Sequence, residues 1–304
     1  MPSAPGPDPI CPSADPAPFA SGALRLGLAG GGGLRWAVAD LSEIVEAARG
    51  RLDLSPVAAA ALGRSLAASA LLLRLATKTP TRLVVEVAGD GPIRRVIAEA
   101  DDRGNLRGMV GDARVDVPHR ADGKLAVGDA VGGGFLRVVR EHPGGSYQSQ
   151  VELVSGEIGE DVAHYLAQSE QARSAVLLGV LGRPAGVTAA GGLIVEVLPG
   201  AAEEAPSRLE ANLAGIAGVS WLVEEGGIDR VLETVLAGLA PELREERQLH
   251  YRCWCSRDRL RRHLEMMGEE DRDSLREDSG ELEAECVFCG TMYRFEPGEL
   301  AAAG

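Results

Sequence analysis

Hydrophobic and polar positions along this chain change their spacing several times, and each change marks an element. Ala23–Ala29 and Leu34–Asp40 are apolar runs on either side of Gly30–Gly33 and predict a hairpin. A run of four glycines also suits a phosphate cradle, but that use requires a helix opening directly after it; none is encoded, so the turn is preferred. Ser42 is expected to cap a short helix through Ala48. Ser55 followed by Pro56 puts a capping hydroxyl before a proline in the first helical position, and the good helix formers that follow predict a helix to about Ala76.

Period-two runs then dominate. Arg82–Ala88, Ile93–Ala100 and Leu106–Val110 read as a meander, with Gly89 to Pro92 turning the first pair. Val131–Arg140 and Tyr147–Val154 predict another hairpin, Gly159–Ser169 a helix, and Ala175–Leu181 and Gly192–Leu198 two more strands. Strands and helices do not alternate one for one, so the block from 23 to 200 is expected to be an α+β core rather than a doubly wound parallel sheet.

From about Ala201 helical spacing returns. Ser207–Glu225 carries Leu209, Leu213, Ile216 and Val223 near one face and is expected to end at Gly226-Gly227. A second helix is predicted over Ile228–Leu239 and a third, short one over Glu242–Gln248. So small a segment makes no independent core, and 201–250 reads as a helical linker packed on something larger. Residues 251–304 are densely charged and poor in apolar side chains, a domain that needs a staple.

Composition adds limits. With 304 residues, 45% hydrophobic and 25% charged, the chain has the makeup of a folded protein of about two domains. A net charge of −14 opposes DNA, RNA and anionic membrane surfaces, so neither nucleic acid nor membrane is expected as a partner. Charges interrupt each apolar stretch before it reaches spanning length. Residues 1–22, rich in Pro, Ala and Ser, read as a disordered tail without signal-peptide character, which makes a cytoplasmic location the expectation.

The cysteines carry the candidate chemistry. Cys11 stands alone in the tail, whereas Cys253-Trp254-Cys255 and Cys286-Val287-Phe288-Cys289 form two close pairs thirty residues apart. Two such pairs around a short fold predict a four-thiolate tetrahedral zinc site, with a knuckle at the second pair leading into a strand. A thioredoxin-type reading of the second pair lacks the βαβ context. His250 and His263 read as bystanders. Arg257, Arg259, Arg261 and Arg262 are expected to offset the charge of about −2 left by four thiolates on one zinc ion, rather than to bind nucleic acid. Such a site is often only structural. Its thiolates nevertheless remain open to peroxide, and each close pair can approach disulfide distance once the metal leaves, so a redox switch is chemically available.

The cysteine pairs have distinctive flanks, a Tyr-Arg-Cys lead-in at 251–253 and a Cys-Gly-x-x-Tyr-Arg-Phe exit at 289–295. In the body stand, in order, Gly89 to Pro92, Ser155 to Ile158 with Glu160-Asp161, Ser169 to Gln171 with Ser174 to Val176, and Ala190 to Gly192 with Leu198 to Ala201. With these landmarks in this order, the chain resembles the heat-shock protein 33 family of redox-regulated chaperones. The resemblance covers about 23–300 and leaves out Cys11, whose role it does not address.

This resemblance implies a non-enzymatic, ATP-independent holdase that binds unfolding client proteins. It implies Cys253, Cys255, Cys286 and Cys289 as ligands of one zinc ion in the reduced form. Oxidation is then expected to eject zinc, form Cys253–Cys255 and Cys286–Cys289 disulfides, unfold the C-terminal domain, loosen the linker and favour a homodimer. In that picture Leu213, Ile216, Trp221 and Leu222 become a client-binding surface, although their spacing suits ordinary core packing equally. The alternatives from other classes are a constitutive binding module with a purely structural zinc site and a thiol-disulfide oxidoreductase.

Overall fold

The computed structural model describes residues 17–76, 80–120, 123–268, 271–272, 281–296 and 299–300. Cys11 and most of the predicted tail lie outside them. The first strand, β1 (Ala20–Ala29), starts earlier than the apolar run suggests, because Phe19 and Ala20 already lie against Tyr251. It turns through a tight 3-10 segment at Gly30–Gly32 into β2 (Leu34–Asp40), and the phosphate-loop alternative is not realised.

Helix α1 (Ser42–Arg51) follows. Its first turn is held by Asp40, whose Oδ1 accepts from the Ser42 amide at 3.0 Å and hydroxyl at 2.6 Å, so Ser42 is not the cap. Helix α2 (Pro56–Leu75) begins as the sequence dictates, with Ser55 Oγ accepting from Ala58 N at 3.2 Å and Pro56 in the first turn. By length and hydropathy α2 could cross a bilayer, but 89% of that window is buried inside the protein. A helix apolar all round is a core helix, and the sheet curls about this one.

Ten strands form that sheet: the remaining ones are β3 (Arg82–Gly89), β4 (Arg95–Asp101), β5 (Asn105–Val110), β6 (Gly134–His142), β7 (Gly145–Glu152), β8 (Ser174–Arg183), β9 (Gly186–Val197) and β10 (Glu242–Tyr251). Their order is β7-β6-β3-β4-β5-β10-β1-β2-β9-β8. A short helix, α3 (Val127–Val131), occupies the start of the run read as a strand from Val131, so β6 begins only at Gly134. Helix α4 (Gly159–Ser169) matches its predicted bounds. Its entry is organised by Asp161, fully buried, which accepts from the amides of Val154, Ser155, Gly156 and Ile158 at 2.8–3.3 Å.

Period two decides which face each strand residue serves. On β2, Ala37 and Ala39 point to the cluster built around α1, α2 and α4, whereas Leu34, Trp36 and Val38 point to a second cluster on the opposite face. That second cluster is closed by α5 (Glu204–Leu213) and α6 (Val219–Val235). The single helix expected over Ser207–Glu225 is therefore two, parted at Gly215–Gly218, and Gly226-Gly227 kinks α6 instead of ending it. Both glycines lie outside helical backbone angles, Gly227 at φ 63°.

The third predicted helix, Glu242–Gln248, is instead β10. Its Glu- and Arg-rich sequence has helical propensity, yet nine of its residues pair antiparallel with β1 and its end pairs parallel with β5 at His250–Asn105 and Tyr251–Leu106. Tertiary pairing overrides propensity here. β10 joins two antiparallel half-sheets and delivers the chain to Cys253.

Candidate metal centre

Among the described residues, the chain after β10 has few buried apolar side chains. Ser256 caps α7 (Arg257–Glu265) by accepting from Arg259 N at 3.2 Å, and β11 (Leu282–Glu285) pairs with β12 (Met292–Phe295). Leu264, Leu282 and Phe295 form one small buried cluster, and Cys253, Cys286 and Cys289 form another.

The four sulfurs converge. Cys253 and Cys255 follow the end of β10, and Cys286 and Cys289 lie in the turn between β11 and β12. That turn is a knuckle: Cys289 N and Gly290 N donate to Cys286 O at 3.1 and 2.8 Å, while Cys286 N donates to Thr291 O at 2.9 Å. Gly290 is required, because it sits at φ 67° and a Cβ there would lie 2.4 Å from Arg51 O. Two sulfur–sulfur contacts link the pairs, Cys253–Cys286 at 3.7 Å and Cys255–Cys289 at 3.5 Å, and all four sulfurs lie within 4.8 Å of one another. A tetrahedron with metal–sulfur bonds of about 2.3 Å has edges of about 3.8 Å. Four free cysteines at this spacing fit a four-coordinate metal ion.

Mutual hydrogen bonding splits the four thiols, with Cys255 and Cys289 shifted toward the thiolate and Cys253 and Cys286 away from it. Hydrogen bonding from Cys253 pulls the Cys255 thiol down to about 6 and draws Cys289 well below the thiol range, whereas Cys253 is pushed up by the same crowding. Tyr293 Oη lies 3.2 Å from Cys255 Sγ and Thr291 Oγ1 3.2 Å from Cys289 Sγ. Burial, then the adjoining sulfurs, raise the Tyr251 hydroxyl, which donates to Phe288 O at 2.9 Å.

The cation beside the site is one that sequence reading missed. Arg257 pairs with Glu299 and Arg261 with Glu265, on α7's own surroundings. Arg107 of β5, 146 residues upstream of Cys253, places Nη1 3.8 Å from its sulfur. Arg51, at the end of α1, donates through Nε to Cys289 O at 2.8 Å. No local pattern signals either residue, since both act across the fold. The histidines stand apart, with His250 Nδ1 3.2 Å from Ser21 Oγ and His263 exposed on α7.

The other predicted residues lie elsewhere. Leu213 and Ile216 are half-buried at the end of α5 and in the following turn, Leu222 is buried on α6, and Trp221 is 43% exposed with Arg183 over its ring. Leu222 belongs to the cluster beneath α5 and α6 and Leu213 and Ile216 pack against it, a cluster separate from the thiols.

Comparison with known proteins agrees with this architecture. The family model described as Hsp33 protein matches residues 23–296. A 33 kDa chaperonin of Thermus thermophilus is 47% identical over 291 residues, covering 92% of this chain and 85% of that protein. One from Nostoc punctiforme is 44% identical, covering 89% and 91%. The crystal structure of the Thermotoga maritima 33 kDa chaperonin, a heat shock protein 33 homolog, superposes with a TM-score of 0.84 at 33% identity, covering 92% of this chain and 96% of that one. From its first hairpin to its cysteine knuckle, the chain belongs to the Hsp33 family.

Proposed function

We propose that this protein is a redox-switched, ATP-independent holdase of the cytoplasm, without enzymatic turnover, that captures unfolding proteins under oxidative stress. The observation that carries the reading is the convergence of four thiols in a module whose described residues form only small apolar clusters. Cys253, Cys255, Cys286 and Cys289 would hold one zinc ion, which supplies the cross-link that folds residues 251–304. The switch is then a property of the ligands. Two thiolates of a pair give up two electrons and form one S–S bond, while a peroxide accepts the two electrons and two protons and leaves as two waters.

The bridges we assign are Cys253–Cys255 and Cys286–Cys289. Each removes two ligands, and loss of the metal unfolds the module. Because the module follows β10 directly, its loss also frees the end of the strand that joins the half-sheets. Residues 201–250 then loosen, and Leu213, Ile216, Trp221 and Leu222 become available to apolar client segments, with a homodimer as the oxidised assembly. Client capture needs no catalytic residue.

The test is zinc release and suppression of client aggregation, before and after peroxide at elevated temperature. Oxidation-dependent gain of both supports the switch. Retained zinc, or suppression independent of oxidation, leaves the constitutive module with a structural zinc site.

A further inference from the structure

Arg107 is almost fully buried, yet it belongs to the core while its side chain ends in the metal module. Its guanidinium carbon stands 3.8 Å from the ring centroid of Trp254 and 4.1 Å from that of Phe288. Trp254 is the middle residue of the first cysteine pair and Phe288 lies inside the second, so one planar cation is held between the two halves of the thiol site. On the core side, Arg107 Nε and Nη2 donate to Glu99 Oε2 on β4 at 3.0 and 2.9 Å, and Glu99 is itself buried. The remaining amino group is the one directed at Cys253 Sγ. A guanidinium can make a forked bond and stack on two rings at once; a lysine ammonium cannot.

We propose that Arg107 is the positioning residue that clamps both cysteine pairs to the core, and that by doing so it sets how readily the thiols are oxidised. The clamp itself is a property of the reduced fold. Its effect on oxidation rests on the redox reading above. Closing a pair draws sulfurs now within 4.8 Å of one another to about 2.05 Å, and Trp254 and Phe288, each lying between the two cysteines of its pair, are carried on the backbone that has to adjust. Docking of both rings on one guanidinium thus resists that adjustment.

The test has two arms on the full-length, zinc-loaded protein. The first uses no oxidant: hydrogen exchange of residues 251–256 and 286–291 in the reduced state, for Arg107→Lys and Trp254→Leu. Lysine keeps a charge opposite Glu99, so the core survives, and Trp254→Leu removes a ring from the module side without touching the core pair. A cation–ring contact at a desolvated site is worth about 2 kcal/mol, so each variant should speed exchange there by about tenfold or more, and adding Trp254→Leu to Arg107→Lys, which already loses both ring contacts, should change little. The second arm times zinc release at fixed peroxide without heating, where both variants should release several-fold faster. If exchange in both variants stays within twofold of the parent, or the two effects simply add, the clamp is wrong. If exchange speeds up but zinc release does not, Arg107 docks the module without governing oxidation. If the parent itself keeps its zinc under peroxide, the redox reading fails while the exchange arm still decides the clamp.

Discussion

Metal removal under reducing conditions separates a stapled module from one that folds on burial. Among the described residues beyond Arg252, the large apolar side chains that are buried are Leu264, Leu282 and Phe295. Full burial of such side chains is worth about 1.5–3 kcal/mol each, roughly 5–9 kcal/mol in all. A structural zinc site contributes about 10–16 kcal/mol of folding free energy. The metal is therefore the larger source of stability, and chelation with the thiols kept reduced should open the module while the two main clusters around α2 and beneath α6 stay folded. Losing only about 4 kcal/mol already changes the open fraction about a thousandfold. Arg257, Arg259, Arg261 and Arg262 supply the assay, since trypsin cuts wherever α7 unfolds. The chelated protein should be nicked at these arginines at once, leaving a resistant core, and excess zinc should restore protection. Equal resistance with and without metal would refute the reasoning.

Other expectations follow from single contacts. Gly290→Ala forces a side chain into a left-handed backbone and against Arg51 O, so it should cost about 1–3 kcal/mol and weaken zinc retention in a chelator competition. Asp161→Ala orphans the four amides that organise the entry to α4 and should lower core stability by about 3–5 kcal/mol in a denaturant titration, with Asp161→Asn losing less. Zinc affinity should fall as pH drops from about 8 to about 5, because protons displace the metal from sulfur. The sign follows from binding, which releases whatever protons the thiols still hold. The fall should steepen below the value near 6 of Cys255, where that thiol too takes up a proton.

Much of this architecture is legible in the sequence wherever a local rule decides it. Ser55-Pro56 marks the start of α2, the turn residues Gly30–Gly33 mark the first hairpin, and close cysteine spacing brings four sulfurs to one place. The misreadings arise where distant partners decide. Glu242–Gln248 has helical composition, but an open edge of β1 makes it a strand. The expected helix over Ser207–Glu225 breaks at Gly215–Gly218, where α5 ends and α6 begins, the latter packing on β2 and β9 and both contributing to one apolar cluster. The arginines of α7 look like the neutralising set, yet Glu299 and Glu265 take two of them and Arg107 reaches the thiols from β5. That residue's role depends on a contact between strands and knuckle that no spacing encodes.

The most direct measurement follows zinc release, free-thiol loss and suppression of aggregation of a heat-unfolding client in one peroxide titration of the full-length protein. A redox-switched holdase should lose four thiols as two bridges, Cys253–Cys255 and Cys286–Cys289, release one zinc ion, and gain suppression in step with that release. Suppression already complete in the reduced, zinc-loaded protein, or zinc retained after all four thiols have reacted, would contradict it.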